Sequence, residues 1–147
     1  MPNCEVVAVF YPDLGTTCQV DRGDHVRAVG WLHPDHSFPT GPVPPGFSAA
    51  LRAHAYDSWQ PVLAMGPHFC EFCSHPAPGA GRAGGARNFW IPSTSVVYVA
   101  PELIVHYVED HQYQPPEEFV AAVLACPPQK SDAFLEMLRP FGYTWRE

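Results

Sequence analysis

The segment 68–73, His-Phe-Cys-Glu-Phe-Cys, carries the residue types best suited to chemistry in this 147-residue chain. A Cys-x-x-Cys pair lets two thiolates reach one metal ion, because the two intervening residues turn the chain as a knuckle. His68 lies two positions before Cys70, so on a strand their side chains would share one face. His68 is therefore a candidate third ligand beside Cys70 and Cys73, and a fourth must come from another part of the chain.

Two further histidines, His106 and His111, lie on a helix predicted to follow Pro101. The helical period places His111 in the middle of the apolar stripe and His106 at its edge, about 140° away. A regular helix cannot direct both at one ion, so both bind only if the helix ends or distorts before His111. The preferred ligand set is Cys70, Cys73, His106 and His68, with His111 as the substitute. Thiolate and imidazole together favour Zn²⁺ over magnesium or calcium.

Other interpretations of these residues compete with a metal site. A thioredoxin-like redox pair needs its first cysteine at a helix N-terminus, and Pro76 and Pro78 leave no room for such a helix. Buried thiols with core histidines bonded to carbonyl groups are the metal-free alternative. Glu71, on a strand, would point away from the face of His68 and Cys70. That position is more typical of a carboxylate that supports a ligand or faces solvent than of a general base.

Four segments are predicted to be strands, and a proline-rich loop separates two of them. The apolar run over 5–11 and the alternating run over 25–32 are the first two strands. The segments 88–92 and 96–100 follow as two more, joined by a turn at Pro92-Ser93-Thr94. Five prolines within 34–45 exclude a helix or a central strand there, so an ordered loop is expected.

The first two predicted helices both begin at a proline. One begins at Pro45, and the other begins at Pro101 and runs to about His111. The residues at buried spacing in the first are Phe47, Leu51 and either His54 or Ala55.

Two further helices are predicted near the C-terminus. One starts at the prolines and acids of 115–118, and the next is capped by Ser131-Asp132 and stopped by Pro140. Their predicted buried residues are Phe119, Val120, Val123 and Leu124, then Phe134, Leu135 and Leu138. Because strands mostly precede helices, we expect an α+β fold. In that fold the C-terminal helices pack on one face of a small antiparallel sheet, and zinc staples a loop-rich chain.

Length and composition set further limits. The chain suits a single domain over 1–147, with a mobile Gly/Ala-rich loop at 76–87. Fifteen acids against eight bases give a net charge of −7, and Lys130 is the one lysine. This balance argues against nucleic acid and against an anionic membrane surface as partners. No Lys or Arg precedes Arg22 and no apolar run approaches a membrane span, so a cytoplasmic protein is expected.

Separated blocks of the sequence resemble a family of small bacterial proteins known only as a domain of unknown function. The matching blocks lie within about 10–125 and are 10–14, 29–32, 38–44, 68–73 and 97–119. The resemblance implies that five residues belong to one pattern, as the ligands of a shared metal site would: His68, Cys70, Cys73, His106 and His111. It implies no activity, and the tail from Pro127 lies outside it.

Three functions remain open on these residues. The first is a structural zinc domain that acts as a binding or accessory module for a protein partner or a small molecule. The second is a hydrolase-type metalloenzyme with three protein ligands and a water, with Glu71, Glu109 or His36 as acid or base. Loops 33–45 and 76–87 would then cover its cleft. The third is a metal-free interaction protein whose charge of −7 suits a basic target.

Overall fold

The computed structural model describes residues 10–61, 68–73, 84, 85 and 87–144. Its strands are β1 (Val26–Ala28), β2 (His68–Phe69), β3 (Gly84–Gly85), β4 (Asn88–Pro92) and β5 (Val97–Pro101). Its helices are α1 (Phe47–Tyr56), α2 (Ile104–His111), α3 (Glu117–Ala125) and α4 (Asp132–Leu138), and a 3-10 turn (Arg139–Phe141) follows. Within the described residues, no helix has both the length and the apolar character needed to cross a membrane.

Two predicted segments lie mostly outside the described residues. Of the predicted strand over 5–11, only Phe10 and Tyr11 are described, and they carry no regular secondary structure. Of the predicted loop over 76–87, three residues are described. Two of these, Gly84 and Gly85, form β3, which pairs antiparallel with β2.

The central sheet has the strand order β1-β5-β4. β4 and β5 form the predicted hairpin, whose turn is closed by Ser93 and Val96. The α+β class is confirmed, but β1 pairs with β5 in parallel rather than antiparallel. A tight turn forces two strands to be antiparallel, whereas β1 is separated from β5 by a long connection that contains α1, so either direction is open to it.

Gly30 ends the predicted strand over 25–32 earlier than its apolar pattern suggests. Its φ of +80° lies in the left-handed region, and a Cβ there would lie 2.6 Å from Cδ1 of Ile104. The backbone thus turns away after β1 and lets α2 approach closely. Only a glycine combines this conformation with this contact.

Both faces of the sheet are buried, because every residue of β4 and β5 is buried. Phe89 and Ile91 pack with residues of α1, α2 and α3, while Trp90 points to the opposite face. There Phe134 and Leu138 of α4 cover it. The expected arrangement with helices on one face therefore holds for three helices and not for α4. Successive strand residues alternate between the two faces of a sheet. A strand that is apolar on both faces must therefore be packed against other elements on both sides.

Most predicted helix features are observed. Phe47, Leu51, His54 and Ala55 are all buried in α1. The side chain of Ser131 caps α4 by accepting the Phe134 N–H at 3.2 Å, and Pro140 lies in the 3-10 turn that follows α4.

Two details of the predicted helices differ. Pro101 ends β5 instead of opening α2, because the N–H of Glu102 still donates to the carbonyl of Arg87 and extends the strand pairing. Leu124 is 48% exposed, although its neighbours on the stripe, Phe119 and Val123, are buried. At 100° per residue Leu124 lies about 140° from Phe119, beyond the edge of the buried stripe. Leu135 is likewise only partly buried.

Candidate metal centre

Two thiols and two imidazoles converge between the knuckle and the end of α2. One ligand atom from each of Cys70, Cys73, His106 and His111 lies within 4.8 Å of all the others. The Sγ of Cys73 is 3.2 Å from Nε2 of His106, and the Sγ of Cys70 is 3.4 Å from Nε2 of His111. The two Nε2 atoms are 3.1 Å apart. Bond lengths to tetrahedral zinc imply edges of about 3.3 Å between nitrogens and about 3.5 Å between nitrogen and sulfur. These three separations are close to the edges of a tetrahedral zinc site.

Aromatic packing holds the knuckle against α2. β2 pairs with β3 just before Cys70, which is fully buried. The ring of Phe72 meets Phe38 and Tyr107 edge to face, with centroids 5.2 and 5.7 Å away, and lies 5.6 Å from the ring of His111. Phe72, between the two cysteines, thus fixes the position of both thiols relative to the helix.

The last turn of α2 explains how His106 and His111 meet despite their five-residue separation. Gln112 adopts a left-handed conformation with φ 56°, and its N–H donates to the carbonyl of Tyr107, five residues earlier. The N–H of Tyr113 donates to the same carbonyl at 3.0 Å. A five-residue bond is wider than a regular helical turn, so α2 is distorted in its last turn, where His111 lies. The condition set by the sequence, an end or a distortion, is thus met at His111 itself rather than before it.

Asp110 orients the imidazole of His106. Its Oδ2 lies 2.7 Å from Nδ1 of His106, one helical turn away. Because a carboxylate only accepts, Nδ1 carries the proton and the lone pair of Nε2 faces the cluster. Histidine ligands of metals commonly have such a carboxylate partner. The i,i+4 spacing of the two residues is the sequence signal for this contact.

The other residues considered as acids or bases do not join the cluster. Glu71 lies on the knuckle, and its carboxylate is 3.6 Å from Nε2 of His33. Glu109 forms a two-pronged ion pair with Arg52 at 2.5 and 2.6 Å, which ties α2 to α1. His36 stacks on Phe10 with ring centroids 3.7 Å apart. Each of the three is therefore engaged elsewhere.

His111 is the fourth member of the cluster in the described part of the structure. The backbone of His68 pairs with Gly85 in the small sheet, but its side chain lies outside the described part of the structure. The preference for His68 as fourth ligand stays a prediction. Of the five candidate ligands, four are brought together.

Without a metal ion, burial of the cluster disfavours the charged forms of its side chains. It raises the pKa of the Cys70 thiol, and the neighbouring Cys73 raises it further. Burial also lowers the pKa of His111, with a smaller contribution from His106. A divalent cation binds thiolate and neutral imidazole. It would stabilise the Cys70 thiolate, which burial disfavours, whereas burial already favours the neutral imidazole of His111.

A small α+β fold with two cysteines and two histidines at one point defines a candidate metal-binding domain. The chain belongs to a family described as a domain of unknown function (DUF7919), whose model matches residues 9–124. The membership expected from the sequence is thereby confirmed. The matched region contains the whole cluster and ends before α4. No curated protein and no solved structure matches the chain.

Proposed function

We propose that this chain is a zinc protein whose ion is structural, and that the domain serves as a binding or accessory module. One observation carries the proposal: two thiols and two imidazoles meet at separations suited to a tetrahedral ion. The proposed ligands are Cys70, Cys73, His106 and His111. Four protein ligands close the coordination sphere, which is typical of structural zinc and leaves no position for water.

The donor set favours zinc. Two sulfurs and two nitrogens in a tetrahedral arrangement suit zinc, whereas magnesium and calcium require oxygen donors. The ion would join two segments that are more than thirty residues apart, the knuckle at 70–73 and the end of α2. Binding energy would then appear as folding energy, because the four donors meet only in the folded chain.

A hydrolase-type metalloenzyme is the second candidate, and one observation favours it. His106 and Asp110 line a groove of about 330 Å³, together with Glu102, Glu109 and Tyr56. If one ligand gave way to water, this groove would hold the substrate. An ion held by three protein ligands and a water distinguishes this candidate from the first.

Metal content and stability test both candidates. The untagged chain is analysed for bound metals, and its thermal unfolding is measured with and without a strong chelator. One zinc per chain, with a melting temperature lowered by chelation, supports the structural site. Zinc that leaves without loss of stability supports the open site. No metal, with unfolding unaffected by zinc or chelator, contradicts both and favours a metal-free interaction protein.

A matched pair of variants assigns the ligands. Cys73→Ser should lose zinc and lower the melting temperature. Cys126→Ser should keep zinc, because Cys126 lies outside the cluster and its thiol donates to the carbonyl of Pro127. Cobalt substituted for zinc then reports the coordination, since a tetrahedral thiolate site absorbs visible light strongly and a five-coordinate site only weakly.

The proposal places the protein in the cytoplasm, with an unidentified protein or small molecule as partner and neither nucleic acid nor membrane. The four described cysteines form no disulfide with one another, which suits a reducing compartment. The net charge of −7 disfavours polyanionic partners. Fractionation and partner capture with the zinc-loaded chain as bait test these two points.

A further inference from the structure

An apolar groove lies between the proline loop at 39–44 and the exposed side of α3. Its volume is about 880 Å³, within the range of about 300–1,000 Å³ typical of small-molecule sites. None of the four proposed zinc ligands lines it, so it is separate from the candidate metal centre. Its apolar walls include Pro39, Pro42, Val43, Pro116, Val120 and Leu124.

Hydrogen bonds hold the proline loop against residues 112–114. The N–H of Gly41 donates to the carbonyl of Gln112 at 3.0 Å, and the N–H of Gln114 donates to that of Pro39 at 2.9 Å. The side-chain amide of Gln114 donates to the carbonyl of Pro42 at 2.8 Å. With proline rings restricting the backbone on both sides, the groove is formed before any ligand arrives, which lowers the entropic cost of binding.

The charge of the groove is negative. The charged side chains that line it are Asp13 and Glu117. Asp13 accepts hydrogen bonds from the N–H of Gly30 and the hydroxyl of Tyr113, at 3.0 and 2.7 Å. These neutral donors orient the carboxylate without cancelling its charge. Across the described ranges, no ion pair involves either carboxylate.

Three backbone carbonyls of the proline loop are already hydrogen-bonded and are poorly available to an extended peptide. The carbonyls of Pro39 and Pro42 already accept from Gln114, and that of Pro44 accepts from Phe47. A peptide strand laid here would leave its own backbone groups poorly paired. A compact ligand with a single polar group has no such cost. We propose that the groove binds a small amphipathic organic cation, an amine with an apolar body.

A pair of probes that differ in charge tests this proposal. The full chain is titrated with 4-phenylbutylamine and with 4-phenylbutan-1-ol, and shifts of backbone amide resonances are followed by NMR. Both should bind at the groove, the amine about fivefold more tightly at low salt, as expected for partly exposed charge pairs. That preference should shrink in roughly 0.5 M salt, which screens exposed charges. Equal affinity for the two probes at low salt, or no binding at millimolar concentration, overturns the proposal.

Substitutions in the groove locate the site. Glu117→Gln should weaken the amine about two- to fivefold and leave the alcohol unchanged. Ala121→Trp should fill the groove and weaken both probes more than tenfold. Ala49→Trp is the matched control, because Ala49 is exposed on α1 and does not line the groove. Unchanged affinities in the folded Ala121→Trp variant would place the probes elsewhere and refute the assignment. None of the four proposed zinc ligands lines the groove, so these substitutions test the groove without altering the metal site.

Discussion

Replacing Asp110 by Asn tests whether the carboxylate positions the proposed zinc ligand His106. The change keeps a hydrogen-bond acceptor of the same shape 2.7 Å from Nδ1 but removes its charge. Carboxylate partners of this kind typically contribute 10–100-fold to metal affinity. The side chain of Asp110 is 63% exposed, so solvent screening puts the expected loss near the lower limit, about tenfold or roughly 1.4 kcal/mol.

The assay is competition for zinc against a chromophoric chelator of known affinity, at fixed pH and ionic strength. Glu109→Gln is the matched control, because Glu109 is the adjacent acid on α2 and its carboxylate pairs with Arg52 instead of His106. It removes the same charge and an interhelical contact, yet zinc affinity should change less than twofold. An Asp110→Asn variant with parental zinc affinity would refute the positioning role. An equal loss of zinc affinity in both variants would show that the effect comes from net charge alone.

Two further predictions concern the fold. Gly30→Ala should destabilise the protein by about 2–4 kcal/mol in denaturant unfolding, because the new Cβ would lie 2.6 Å from Ile104 and φ is positive. Gly142→Ala, with similar φ and open space, should cost only about 1 kcal/mol. Burial lowers the pKa of His54, so on acidification below about 6.5 the unfolded chain binds a proton first and stability falls. His54→Gln should flatten that part of the pH profile, measured as the difference from the parent; parallel profiles would contradict it.

Local chemistry explains why much of the secondary structure is predictable. The hairpin of β4 and β5, the buried face of α1 and the cap at Ser131 depend on residues a few positions apart. The direction of β1 and the side of the sheet taken by α4 depend on packing between distant segments. Neither leaves a periodic pattern, although the apolar runs of β4 and β5 do indicate two covered faces.

The candidate site, like the fold, was only partly predictable from local sequence. Residue type and spacing identified the two cysteines and both helical histidines as candidates. The shape of one helix end brings His111 into the cluster, and there Gln112 takes a positive φ that glycine more often provides. Asp110 was open to prediction from its i,i+4 spacing, but only once His106 was assigned as a ligand.

The helix end that completes the cluster also builds the groove. His111 contributes Nε2 to the four donors, and the carbonyl of the next residue, Gln112, accepts the N–H of Gly41 in the proline loop. Two residues later, Gln114 bonds the same loop twice. An ion that fixes His111 therefore also restrains one wall of the groove. By linkage, zinc and an amine ligand should each strengthen the binding of the other by the same factor. An accessory module of this construction would bind its ligand more tightly when its metal is in place.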